Sequence, residues 1–153
     1  MQTSLENVAA TLAALVNEVA PVLRAFTEDD VSRLCIAGGW SRKQILGHLI
    51  DSASNNHQRF VRALLAPELD GPGYDQSGCV RVERFAEADW TMLVDVWSSY
   101  NRLLAHILRG VPDSKLATPC RIGEAPAITL EELAIDYVRH LEHHLNQIRS
   151  AAA

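Results

Sequence analysis

The sequence predicts an all-α protein, a four-helix bundle whose helices are joined by long crossover connections. Four segments of about 20 residues carry apolar side chains at the i, i+3, i+4, i+7 spacing of amphipathic helices. Two of these segments open with a capping box, and the stretches between segments are rich in Gly and Pro. The chain of 153 residues is expected to form one domain over residues 1–153.

The first two predicted helices differ in how clearly their ends are marked. The first runs from Ser4 to Ala25 and is defined by its apolar spacing alone. The second follows Ser41, which is expected to form a capping box with Gln44, and it ends before Pro67.

The last two predicted helices also have recognisable boundaries. The third runs from Ala86 to Arg109, where a Gly-x-Pro sequence ends it. The fourth begins at a second capping box, formed by Thr129 and Glu132, and continues to Ser150.

Two connections are longer than those of most compact domains. The sequence PELDGPGYDQSGCVRVERF, residues 67–85, is predicted to be a crossover loop, and loops of this length are usually functional or disordered. The sequence TPCRIGEAPAIT, residues 118–129, predicts a short hairpin that turns at Gly123-Glu124. No further sheet is expected.

Composition excludes several classes of function. The formal net charge of −5 and the absence of a basic cluster argue against nucleic-acid binding. No uninterrupted apolar run is long enough to span a bilayer, so no membrane association is expected. The cysteines are odd in number and lack C-x-x-C spacing, which indicates inert, reduced thiols in a cytoplasmic protein: Cys35, Cys79 and Cys120.

The sequence DYVRHLEHHLNQI places three histidines close together on the fourth predicted helix. Successive helical residues turn by about 100°, which puts His143 about 150° from the centre of the apolar stripe, towards water. His140 and His144 share one face as an i, i+4 pair. Such a pair can hold a single metal ion, or it can simply line a helix flank. A metal site needs a third ligand from elsewhere.

Two histidines of the second predicted helix compete for that role. Periodicity places His57 nearer the apolar arc of the helix. His48 instead heads a polar stripe that faces either solvent or a polar pocket, and the pattern alone leaves both open: Ser52, Asn55 or Asn56, and Arg59.

The sequences GWSRKQILGHLIDSASNNHQRF and YVRHLEHHLNQI together resemble the DinB/YfiT-like superfamily of metal-binding four-helix bundles. The resemblance covers essentially the whole chain and rests first on Trp40, Ser41, His48, His140 and His144. Further residues resemble the YfiT-like branch, in which the GYD of this chain is usually PYD: Asp51, Ser52, Asn55, Arg59, Phe60, Tyr74 and Asp75.

The resemblance implies that His48, His140 and His144 hold a divalent metal ion, either zinc or nickel, with manganese or iron as alternatives. A ligand in a polar, partly wet pocket also suits an open coordination site better than one in the core, which favours His48 over His57. The two are about 13 Å apart along the helix, so they cannot both join one site. Because related bundles often pair, a homodimer is also expected.

Three functions agree with such a site. The first is a metal-dependent enzyme of the thiol S-transferase type, using a low-molecular-weight thiol such as bacillithiol or mycothiol with a small-molecule substrate. The second is a metal-dependent hydrolase, and the third is a non-catalytic, stress- or damage-inducible metal-binding protein. Three neutral imidazoles leave coordination positions open, where either a thiol or a water molecule could be activated.

Roles for the surrounding residues follow from their positions, although no catalytic residue is assigned. Asp51 lies one turn after His48 and either orients an imidazole or is solvated. Arg59 either binds an anionic group of the substrate or pairs with a surface carboxylate. Tyr74 and Asp75 lie on the crossover, where binding residues often occur.

Overall fold

The computed structural model describes residues 4–35 and 39–150, and it confirms the predicted four-helix bundle. The long helices are α1 (Ser4–Arg24), α3 (Arg42–Leu65), α5 (Trp90–Arg109) and α6 (Leu130–Ser150). Two short helices lie in the connections, α2 (Glu28–Ser32) and α4 (Gln76–Val82). Three short strands form one small sheet: β1 (Leu69–Gly71), β2 (Pro119–Ile122) and β3 (Ile128–Thr129).

The bundle does not place its helices around a ring in chain order. Helix α1 packs against α5 and α6, and α3 packs against the same two helices. Helices α1 and α3 therefore occupy opposite corners, as do α5 and α6. The connections from α1 to α3 and from α5 to α6 must each cross the bundle end.

The core contains the apolar stripes that helical periodicity predicts. On α6, the predicted stripe is buried along its whole length: Leu130, Ala134, Tyr137, Leu141, Leu145 and Ile148. Trp97 of α5 is among the largest fully buried side chains. The indole N–H of Trp90 donates to the carbonyl of Leu23 at 2.7 Å, which joins the start of α5 to the end of α1. Burying these faces is the main source of bundle stability.

Both predicted capping boxes are present. The Ser41 hydroxyl accepts from the N–H of Gln44, whose side chain accepts from the N–H of Ser41. Thr129 and Glu132 make the same reciprocal bonds at the start of α6. Each box satisfies backbone donors that have no partner within the helix.

The predicted start of the third long helix was wrong by four residues. Residues Phe85–Glu87 form a separate 3₁₀ turn, and α5 begins at Trp90. The reason is Asp89, whose carboxylate accepts from the N–H of Met92 and caps the helix there. Helix α2 was missed altogether, although Thr27 and Asp30 form a capping box that marks its start.

The crossover is more regular than a long loop. It contains β1 and α4, and β1 pairs in parallel with β2, with Leu69 opposite Cys120. The predicted hairpin is confirmed by the antiparallel pairing of β2 and β3. At its turn Gly123 has a φ of 61°, a left-handed conformation that glycine adopts without strain. The sheet thus joins the α3–α5 connection to the α5–α6 connection.

Two predictions from composition concern the membrane and the thiols. Within the two described ranges, no helix is both long and apolar enough to cross a bilayer. The three cysteines are free, with Cys35 and Cys120 buried and Cys79 half-buried. Burial raises the pKa of all three thiols, which keeps them protonated and weakly nucleophilic.

We predict that Gly47→Ala destabilises the bundle by about 1–3 kcal/mol, because overpacking a closed contact forces side chains and backbone to shift. A Cβ at position 47 would lie 2.2 Å from Cγ of Phe85, well inside van der Waals contact. Urea unfolding followed by circular dichroism measures the loss. Gly110→Ala is the matched control, since its added Cβ meets no atom closer than 3.6 Å. Equal effects of the two substitutions would contradict the close packing of Phe85 on α3.

Candidate metal centre

The antiparallel helices α3 and α6 carry the candidate ligands, and Arg42 fixes their alignment. This side chain is buried, and its Nε donates to the carbonyl of Ile148 near the end of α6 at 2.8 Å. Its Nη1 donates to the carbonyl of Asp30, and its guanidinium lies 4.4 Å from the ring centre of Phe26. These contacts set the height at which His48, less than two turns further along α3, faces α6.

Three histidines meet between the two helices: His48, His140 and His144. The Nε2 atoms of His48 and His140 are 3.2 Å apart, and the three ring centres are 4.6 to 5.1 Å from one another. Metal–nitrogen bonds of about 2.0–2.1 Å in tetrahedral geometry separate two nitrogens by about 3.3 Å. The spacing of the group therefore fits a single metal ion.

Electrostatics favours the protonation state that binds metal. Burial, together with the neighbouring His144 and His140, lowers the pKa of His48 to about 4. Burial and the adjacent imidazoles likewise lower the pKa of His140 to about 4. The pKa of His144 is also lowered by its burial. At neutral pH all three rings are therefore uncharged, as metal ligands must be.

Gln147 orients one of these rings. Its Oε1 accepts from Nδ1 of His144 at 2.7 Å, which leaves Nε2 of that ring free to act as a ligand. Its Nε2 lies 3.4 Å from Nε2 of the exposed His143. Sequence reasoning did not single out Gln147, although its position one turn after His144 is the signal that identifies it.

Trp40 covers the most buried of the three histidines. Its ring centre lies 5.3 Å from that of His48, and its backbone carbonyl accepts from the N–H of Cys35 at 2.7 Å. His48 itself is 1% exposed, and its Nδ1 has no hydrogen-bond partner among the described residues. Trp40 thus excludes water from one side of the histidine group.

The remaining histidines that the sequence singled out lie elsewhere. His57 is half-buried, and its Nδ1 lies 2.8 Å from the hydroxyl of Tyr100 on α5. His143 is exposed, on the face of α6 that periodicity assigns to solvent. The structure therefore brings His48, and not His57, to the pair on α6. The role of the three as ligands stays a prediction.

An open cavity of about 330 Å³ reaches the histidine group at His140. Arg59 lies within it with its guanidinium 6.0 Å from the ring centre of Tyr74. Most of the other side chains around it are polar or aromatic, and they come from α3, the crossover and α6: Ser52, Asn56, Gln76, Asp136 and Tyr137. Ser52, Asn56 and Arg59 of the polar stripe thus line a pocket rather than facing solvent, while His48 is buried behind it.

Two residues expected at the pocket have other contacts. Asn55 does not line the cavity, because its Nδ2 donates to the carbonyl of Asp51 on its own helix. Asn56, one position further, takes that place. Asp75 is exposed and caps α4, where its Oδ1 accepts from the N–H of Gly78 at 3.0 Å.

Asp51 neither orients an imidazole nor faces solvent, the two alternatives that the sequence left open. It is only 8% exposed, so it is not solvated, and no hydrogen bond joins it to an imidazole among the described residues. It faces Cys79 and Glu83 of the crossover instead.

Comparison with known proteins agrees with this architecture. A sequence model of the DinB superfamily matches residues 36–148. A Bacillus pumilus (strain SAFR-032) protein named "Putative metal-dependent hydrolase" is 26% identical over 138 residues, which cover 90% of this chain and 78% of that protein.

Two solved structures share the fold. The first is YfiT from Bacillus subtilis, described as "a probable metal-dependent hydrolase with an unusual four-helix bundle topology" (TM-score 0.83, 22% identity, 95% of this chain and 83% of that chain). The second is the mycothiol-dependent maleylpyruvate isomerase (TM-score 0.78, 15% identity), of which this chain covers 65%. At these identities the likeness establishes the fold alone.

We predict that His48→Ala, His140→Ala and His144→Ala each lose one equivalent of bound metal, because two remaining imidazoles hold a divalent ion weakly. His57→Ala and His143→Ala are the matched controls on the same two helices, and both should keep the metal content of the original chain. Elemental analysis after dialysis against zinc measures the content. Metal loss in His57→Ala with retention in His48→Ala would show that the wrong histidine of α3 has been chosen.

We predict that Gln147→Ala weakens metal affinity by about 10- to 100-fold without abolishing binding, because the ring of His144 loses the partner that orients it. Competition with a chromophoric chelator measures the affinity. Asn146→Ala removes an exposed neighbour and should leave the affinity unchanged. An unchanged affinity in Gln147→Ala would mean that this hydrogen bond does not organise the site.

Proposed function

The chain belongs to the DinB superfamily, and on that premise we propose that it is a metal-dependent enzyme acting on a small molecule. The proposed ligands of one divalent ion, zinc or nickel, are His48, His140 and His144. The observation that supports this most strongly is the convergence of three uncharged imidazoles beside an open cavity. Structural zinc sites are closed by four protein ligands, whereas three ligands leave a position for a reacting molecule.

The donor set determines the chemistry that is available. A bound divalent ion supplies a Lewis acid that lowers the pKa of a neighbouring thiol or water molecule. Because the three imidazoles carry no charge, they leave the full positive charge of the ion uncompensated. Trp40 limits water on one side of His48, so the reacting group must enter from the cavity at His140.

Arg59 provides the proposed binding point for an anionic group of the substrate. It is half-buried in the cavity, and no carboxylate pairs with it within residues 4–35 and 39–150. Its Nη2 makes a long hydrogen bond, 3.5 Å, to the carbonyl of Pro72. The Tyr74 hydroxyl beside it stays protonated, since burial raises its pKa, and can donate a hydrogen bond.

We favour a thiol-dependent transferase. The fold is shared with an isomerase that depends on mycothiol, and the uncharged ligands suit the activation of a thiol. A hydrolase is the second candidate, which the names of the Bacillus pumilus relative and of YfiT favour. A non-catalytic metal-binding protein is disfavoured by the open, polar cavity.

The test compares two reactions on the metal-loaded chain. With bacillithiol or mycothiol and monochlorobimane, a new sulfur–carbon bond forms, chloride leaves, and the thiol proton passes to solvent. Without thiol, a panel of aryl esters reports hydrolysis. Metal-dependent conjugation that His140→Ala abolishes would support the transferase, and metal-dependent ester cleavage alone would support the hydrolase. If the metal-loaded chain shows no activity in either reaction with any of these substrates, the result would contradict an enzymatic role.

We predict that Arg59→Gln lowers kcat/KM for an anionic substrate by about 10- to 100-fold, the usual cost of losing a charged hydrogen bond. The loss should appear mainly in KM, because binding rather than activation is affected. Arg62→Gln is the matched control, since Arg62 is exposed one turn further along α3. Arg59→Lys should recover part of the affinity. Equal kinetics for Arg59→Gln and Arg62→Gln would rule out the anion-binding role.

A further inference from the structure

A second group of potential ligands lies outside the histidine centre. It comprises Asp51 of α3, Cys79 of α4 and Glu83, the residue that follows α4. The carboxylate oxygens and the thiol sulfur of these three lie within 4.8 Å of one another. We call them the Asp–Cys–Glu group. The crossover supplies two of its members, and the bundle supplies the third.

Asp51 is the member that needs a partner. It is 8% exposed, and its Oδ2 is fully buried with no hydrogen-bond partner in the described part of the chain. Burial, and then the neighbouring Glu83, raise its pKa to about 7. No Lys or Arg pairs with Asp51 or Glu83 among the residues that the structure describes. A buried carboxyl group beside a second carboxylate requires either a shared proton or a cation.

We propose that the Asp–Cys–Glu group is a second divalent-cation site that takes a zinc-class ion, separate from the histidine centre. The ligand chemistry selects the ion. A thiolate favours borderline-soft ions such as zinc, whereas magnesium and calcium bind oxygen ligands alone. Half-burial of Cys79 and exposure of Glu83 leave the site open to solvent on one side, so an ion can enter and water can complete its coordination.

Binding releases protons and joins two parts of the fold. The Cys79 thiol loses its proton to solvent as the sulfur–metal bond forms, and Asp51 gives up any proton it holds. The ion then links α3 directly to α4 and to Glu83, the residue that follows α4. The crossover, whose Tyr74 lies at the cavity, would be fixed more firmly to the bundle.

Cobalt titration of the chelator-treated full chain tests the proposal. A cobalt–thiolate bond gives a charge-transfer absorption in the near ultraviolet, which an all-histidine site does not give. We expect this absorption in the original chain and in His140→Ala, and its loss in Cys79→Ser. Asp51→Asn and Glu83→Gln should raise the cobalt Kd of this site at least about tenfold. Zinc should displace the cobalt and remove the absorption.

Glu87→Gln is the matched control, since Glu87 is an exposed carboxylate that pairs with Arg84 and lies outside the group. Circular dichroism verifies that each variant is folded, and the cobalt bands of the histidine centre verify it as well in the variants that keep all three histidines. Titration without a thiolate absorption would show that Asp51 and Glu83 merely share a proton and would overturn the proposal. So would an absorption that survives in Cys79→Ser. Loss of binding at the histidine centre alone would affect the proposed function and leave this site intact.

Discussion

The meeting of three imidazoles between α3 and α6 is the contact around which the rest of the site is arranged. Three basic groups this close cannot all be charged, and burial keeps them neutral. Neutral rings keep this spacing only if the two helices have a fixed height, meaning their relative position along the bundle axis, and a fixed rotation about their own axes. Arg42 supplies the height through its bond to the end of α6, and the buried stripe of α6 supplies the rotation.

The crossing of the connections follows from the same arrangement. Because α1 and α3 lie at opposite corners, as do α5 and α6, the connections within each pair must pass over the ends of the bundle. Pairing of β1 with β2 joins the α5–α6 passage to the α3–α5 connection. Tyr74 and Gln76 reach the cavity from the α3–α5 connection, while Arg59 and Asn56 reach it from α3. The helices therefore hold the candidate ligands, and helices and connections share in forming the pocket.

Local patterns predicted the parts of the fold that local physics determines. The stripe from Leu130 to Ile148 follows helical periodicity, and the boxes at Ser41 and Thr129 are satisfied within four residues. Strand β1 was missed because its partner β2 lies about fifty residues away, so nothing near Leu69 reveals the pairing. The apolar arc of α3 favoured His57 over His48 because periodicity registers burial and cannot distinguish a core from an enclosed polar site. The surroundings of Asp51 were not predicted for a similar reason, since its neighbours Cys79 and Glu83 come from a different element.

Gly47 has a consequence beyond packing. Since the ring of Phe85 occupies the space where its side chain would be, the end of the crossover rests directly on the helix that carries His48. The residues from 67 to 85 are therefore anchored at both ends, by β1 and by Phe85, while the segment around Tyr74 lies between the anchors. Such a segment can change its sequence over evolutionary time without disturbing the helices beneath it. Relatives with the same set of histidines could thereby acquire different substrates. The helices would keep the scaffold and the chemistry, and the crossover segment alone would change the selectivity.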